Sequence, residues 1–171
     1  ALATFPNDDA RKGYAFSGWY SKLEGEGIHI TANTTVSTDS IPTPSDHTLF
    51  AFWDVARYPL SYMVGVGNNH ADNPLEYTIA SPDVVLLDAN RTGYDFAGWY
   101  ADADHTELVE GVAVPSGSTG PRTFHAAWIP QEYTVTFDAG PDAVVEIDSL
   151  SVVYDAPYAD LPTPIRAGYS F

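Results

Sequence analysis

The phrase "RKGYAFSGWY" at Arg11–Tyr20 returns as "RTGYDFAGWY" at Arg91–Tyr100 and begins a third time as "RAGYSF" at Arg166–Phe171. A phrase that returns at long spacing marks a repeated structural unit, and this constrains the fold more than composition does. Trp53, closing "HTLFAFW", and Trp128, closing "RTFHAAW", stand 75 residues apart. The same spacing relates Tyr58 to Tyr133, Tyr62 to Phe137, Leu75 to Leu150, Leu86 to Leu161, and Arg91-x-Gly93-Tyr94 to Arg166-x-Gly168-Tyr169. Arg11 and Arg91 are 80 apart, so the earlier copy carries five extra residues. They fall around "STDSIPTPSDH", Ser37–His47, whose Pro, Ser and Asp predict a surface loop.

Within a copy the local pattern is β. In "EYTVTFDAG", Tyr133, Val135 and Phe137 alternate with Thr134 and Thr136, a half-buried strand that ends in a Gly-Pro turn. "LSVVYD" alternates Leu150, Val152 and Tyr154 and reads as the partner strand. In "GYDFAGWY" Tyr94 and Phe96 share a face, and Gly98 allows a bulge that re-aims Trp99. "TLFAFW" is apolar on both faces, as in a strand covered on both sides. Pro59 within "YPLSYMV" either demotes that strand to an edge or sits where its missing N–H would point outward. No window shows a long helical period, and "SPDVVLLDAN" and "DAPYADLPTP" each hold one short turn at most. The expected fold is mainly β: small tandem repeats of about four strands each, with little helix.

Aromatic residues that recur at equivalent places are packing positions. Tyr14, Phe16, Trp19 and Trp53, with their counterparts Tyr94, Phe96, Trp99 and Trp128, form the expected core. Tyr20 and Tyr100 are the more exposed aromatics and the candidate ligand surface. Large aromatics suit a unit this small, which has no disulfide to hold it.

The chain has 23 acidic and 7 basic residues, a formal net charge of −16, and both ends and middle share the excess. Such a surface repels phosphate backbones and anionic headgroups, which argues against nucleic acid and direct membrane binding. With no cysteine there is no disulfide, thiolate metal site or thiol nucleophile. The opening Ala-Leu-Ala-Thr lacks the basic and apolar regions of a signal peptide. The five histidines show no HxH or HxxxH spacing, and His125 stands where the earlier copy has Phe50. "DADHTE", Asp102–Glu107, offers three carboxylates without the spacing or central Gly of an EF-hand, so it reads as a solvated loop. No nucleophile, acid–base or metal constellation emerges, and the expectation is a protein without enzyme activity, metal or cofactor.

The ordered run Arg-x-Gly-Tyr-x-Phe-x-Gly-Trp-Tyr, Thr-[Leu/Phe]-x-Ala-x-Trp, Tyr-x-[Val/Leu]-x-[Phe/Tyr] resembles the InlB B-repeat, or Listeria–Bacteroides repeat. The resemblance extends along essentially the whole chain. It implies a β-grasp-like, α+β outline and an origin in bacterial surface or secreted proteins. It also implies the phase: 1–53 as the C-terminal part of a repeat, 54–128 as a complete repeat, and 129–171 as the N-terminal part of a further one. The function it implies is a non-enzymatic repeat module, an adhesin stalk or spacer with a surface that presents ligands. The alternative is a carbohydrate-binding repeat that engages host or cell-wall glycans. Expected partners are a host or cell-surface protein or glycan. Head-to-tail self-association is a further expectation, since each outer piece would carry strands that the other lacks.

Overall fold

A computed structural model of the chain describes residues 11–37, 40 and 46–171. The expected surface loop Ser37–His47 lies largely outside these. Thirteen strands run in order among the described residues. They are β1 Tyr14–Tyr20, β2 His29–Ile30, β3 Phe50–Val55, β4 Arg57–Met63, β5 Glu76–Thr78, β6 Val84–Val85 and β7 Tyr94–Tyr100. The remainder are β8 Val112–Val114, β9 Arg122–Pro130, β10 Glu132–Thr136, β11 Ala143–Val144, β12 Ser149–Val153 and β13 Ile165–Arg166. No α-helix occurs among the described residues, and Leu23–Gly25 forms a single 3-10 turn.

The central copy contributes a four-stranded sheet in the order β5-β4-β9-β7. Its two halves recur separately in the flanking copies. The first copy has the sheet β2-β1-β3, in which β1 and β3 correspond to β7 and β9. The third copy has β10 paired with β12, corresponding to β4 and β5. The β10–β12 register sets Tyr133 opposite Val152 and Val135 opposite Leu150, the residues that the alternation places on one face.

Pro59 sits inside this arrangement, with Glu76 as its Cα partner, and β4 lies between β5 and β9. The edge alternative is therefore corrected. The Leu60 amide donates to Leu75 O at 2.8 Å, which puts Leu60 in the hydrogen-bonding phase towards β5. Pro59, one residue earlier, is in the opposite phase, so the ladder to β5 loses no bond at the proline.

Chain contacts divide the molecule into two compact units. One holds the described residues up to Ser61 with Pro74–Val85 and Val112–Arg122; the other holds Tyr62–Asn73, Leu86–Gly111 and Thr123–Phe171. In the first unit Val114 and Tyr77 are buried, and the Tyr77 hydroxyl donates to Gly120 O at 2.6 Å. In the second unit Ala89, Trp99, Phe124 and Ala126 are buried. Each unit thus takes residues from neighbouring copies of the repeat.

Candidate functional site

The repeated phrase builds the same local structure twice, starting with a turn. The Tyr94 amide donates to Arg91 O at 3.1 Å, and Gly93 holds φ at +78°. Gly13 does the same between Arg11 and Tyr14, with φ +80° and a bond of 3.0 Å. A four-residue turn with positive φ at its third position selects glycine, which enters that region without a Cβ clash. Across each turn the arginine lies over the tyrosine ring, with Arg91 Cζ 3.6 Å and Arg11 Cζ 4.0 Å from the centroid. This is cation–π geometry.

The strand that follows carries a bulge. β7 pairs with β9 as Phe96 to Trp128 and then Gly98 to Ala127, leaving Ala97 as the extra residue. β1 pairs with β3 as Phe16 to Trp53 and then Gly18 to Phe52, so Ser17 is the extra one. In a regular strand residues three apart face opposite sides. The inserted residue cancels that alternation, and Phe96 and Trp99 meet with ring centroids 5.4 Å apart. Phe96 also meets Trp128 at 5.5 Å, and both contacts are edge-to-face. Phe16 meets Trp19 at 5.7 Å and Trp53 at 5.3 Å in the same manner.

Trp99 is 4% exposed, whereas Tyr14, Phe16, Trp19, Trp53, Tyr94, Phe96 and Trp128 are half-buried. The enclosure of Trp99 comes from groups outside the phrase. Tyr62 packs on it at 5.4 Å, and its indole N–H donates to Leu87 O at 3.0 Å. The same packing surrounds the Tyr62 phenol, whose pKa burial pushes up to about 12. Asn73, 4% exposed, holds Leu87 from the other side: Oδ1 accepts from Leu87 N at 2.7 Å and Nδ2 donates to Leu87 O at 2.9 Å. Sequence reasoning missed this asparagine, which sits in the polar stretch "GVGNNHADNP". A buried side-chain amide that completes a backbone ladder has the composition of an ordinary loop residue. Trp128 Nε1 is buried without a hydrogen-bond partner among the described residues.

Tyr20 and Tyr100 are half-buried too. Tyr20 stacks on His29 with centroids 4.9 Å apart and meets Phe52 edge-on; Tyr100 meets His105 edge-on at 5.2 Å. His125 lies in β9 opposite Tyr100 and is half-buried. Asp102 is occupied by its own loop. Its carboxylate accepts from the Glu107 amide at 2.8 Å and from the Thr106 amide and hydroxyl at about 3 Å, and these bonds hold its pKa below the ordinary value. Among the described residues no three of His, Asp and Glu gather as metal ligands. A cavity of about 390 Å³ near the third turn is lined by Ala139, Ala143, Ile165, Arg166, Tyr169 and Phe171, together with Thr163, Pro164 and Ser170. That lining holds neither a carboxylate nor an imidazole to form an acid–base pair.

A family model described as the Listeria-Bacteroides repeat domain matches residues 1–52, 58–126 and 133–171. Two proteins of Evansella cellulosilytica are similar to the chain. One, provisionally named as a Gly-rich membrane protein, is 26% identical over 169 residues, 95% of this chain. The other, provisionally named as a membrane protein, is 28% identical over 137 residues, 79% of this chain. The chain spans 19% of the length of each. No solved structure matches it.

Proposed function

The chain belongs to the Listeria-Bacteroides repeat domain family, and on that premise we propose that it is a non-enzymatic repeat module of a bacterial surface protein. In this reading it acts as a stalk or spacer that sets other parts of a longer protein away from the cell. The observation that carries it is the fate of the recurrent aromatics. Phe16, Trp19 and Trp53, and again Phe96, Trp99 and Trp128, engage one another edge-to-face. A side chain committed to such a cluster serves packing, and its ring faces are not laid out as a flat platform for sugars. The membrane-protein names of both relatives fit a surface location. Among the described residues no helix is long and apolar enough to cross a membrane, so in this reading any anchoring helix lies outside them.

The competing reading is a carbohydrate-binding repeat that engages host or wall glycans through Tyr20 and Tyr100. A glycan array, followed by titration of hits against Tyr20→Ala and Tyr100→Ala, separates the two. The spacer reading expects no saturable glycan binding. Micromolar binding abolished by either substitution would replace it with the glycan reading.

A further inference from the structure

The Arg-x-Gly-Tyr turn makes contacts that folding its own copy does not require. A Cβ on Gly13 would stand 2.6 Å from Ile79 Cδ1, and a Cβ on Gly93 would overlap the Tyr154 ring. Ile79 and Tyr154 are 75 residues apart, so they hold the same position, just past the second strand of the following copy. The backbone repeats the relation. Gly13 O accepts from the Ala56 amide at 3.0 Å, and Gly93 O accepts from the Gln131 amide at 2.9 Å. Ala56 and Gln131 are again 75 apart, each at the entry to the next copy.

We propose that this turn is a docking socket whose partner is the second-strand segment of the next copy of the repeat. The bare face of the glycine receives an apolar side chain, and the glycine carbonyl receives the amide of the connecting residue. Positive φ and close approach both demand glycine here, which accounts for the constancy of the third residue in the phrase. Gly13 and Gly93 are buried, with Ile79 and Tyr154 against them. Gly168, in the third turn with φ +80°, is exposed and has no atom within 4 Å of where its Cβ would be. The second joint has an added latch. The Tyr94 hydroxyl donates to Asp155 Oδ2 at 2.7 Å, Arg91 lies 3.9 Å from the same oxygen, and the Tyr94 and Tyr154 rings meet edge-on at 5.6 Å. The first joint has Ala80 at the place of Asp155 and lacks it. The socket stands whether the chain serves as a spacer or binds glycans.

Amide hydrogen exchange on the full chain tests the socket, because a substitution in one copy is read in another. Tyr154→Ala removes the occupant of the second socket. It is expected to lower protection of the Gln131 and Tyr94 amides about three- to tenfold, the worth of one ring contact, and to leave the Ala56 and Tyr14 amides unchanged. Ile79→Ala is expected to do the reverse. Tyr158→Ala, on an exposed tyrosine of the third copy, is expected to change neither pair. Gly93→Val, which fills the socket from the other side, should reproduce the Tyr154→Ala pattern even if that variant unfolds the third copy. Wild-type protection at Gln131 and Tyr94 in both Tyr154→Ala and Gly93→Val, or an equal loss in Tyr158→Ala, would overturn the assignment.

Discussion

Replacing Trp99 with alanine removes the enclosed indole on which the central copy is packed. Burying a tryptophan covers roughly 150–250 Å², which at about 25 cal/mol/Å² amounts to about 4–6 kcal/mol. Partial collapse of the site lowers that, and large-to-small core changes of this kind cost about 3–5 kcal/mol. The lost indole N–H adds little. Leu87 O keeps the Asn73 Nδ2 donor at 2.9 Å, so no buried carbonyl is orphaned. At about 0.05–0.15 kcal/mol per residue, one copy of the repeat has about 4–11 kcal/mol to lose. Trp99→Ala should therefore take most of the stability of the central copy. Trp19→Ala, on the half-buried equivalent, should cost only about 1–2 kcal/mol. Urea unfolding followed by far-UV circular dichroism and tryptophan fluorescence measures both. An unchanged midpoint in Trp99→Ala, or equal shifts in the two variants, would refute the argument that enclosure by Tyr62, Leu87 and Asn73 distinguishes them.

Gly98→Ala places a Cβ 2.8 Å from Leu108 Cδ1 at a φ of +130°, and should lower stability by about 1–3 kcal/mol in the same unfolding assay. Trp128→Phe removes a buried donor that has no partner among the described residues, so it should cost less than Trp99→Phe by about 1 kcal/mol, the net worth of one hydrogen bond. Tyr62 titrates near 12 in the folded chain against about 10 when unfolded, so between those values the unfolded state binds fewer protons. Its contribution to stability is whole below pH 10 and is lost as the pH climbs towards 12. Unfolding midpoints in Tyr62→Phe should consequently decline less over that window than those of the unsubstituted chain.

The repeat, its strand alternation and even the bulge at Gly98 were legible in the sequence, because each follows from periodicity or from a glycine placed where the pattern breaks. Tyr94, Phe96 and Trp99 could be grouped on that basis. Their unequal burial could not, since Trp99 is closed in by Tyr62 and Asn73 from segments that show no special pattern of their own. Of the two placements left open for Pro59, the edge one was wrong for a similar reason. The proline's effect depends on hydrogen-bonding phase, which alternates residue by residue and is set by pairing with β5. The doubled use of Gly93 was hidden as well. A turn alone is a sufficient explanation of Arg-x-Gly-Tyr until the Tyr154 ring is found against it.

The arginines of the three turns bear on how such chains behave in company. Arg11, Arg91 and Arg166 lie over tyrosine rings, and Arg57 is bound to Glu76, so four of the seven basic side chains are already engaged. A guanidinium over an aromatic ring, as at Arg91 and Arg166 which also lie within 4 Å of Asp155 and Asp142, is less free to bridge a neighbouring molecule's carboxylates. With a net charge of −16, adjacent molecules meet with few cations at liberty to glue them together. Their mutual repulsion reaches about 8 Å at physiological ionic strength and about 30 Å at 0.01 M. The closeness with which two of these chains can approach is thus governed by the salt in the surrounding medium.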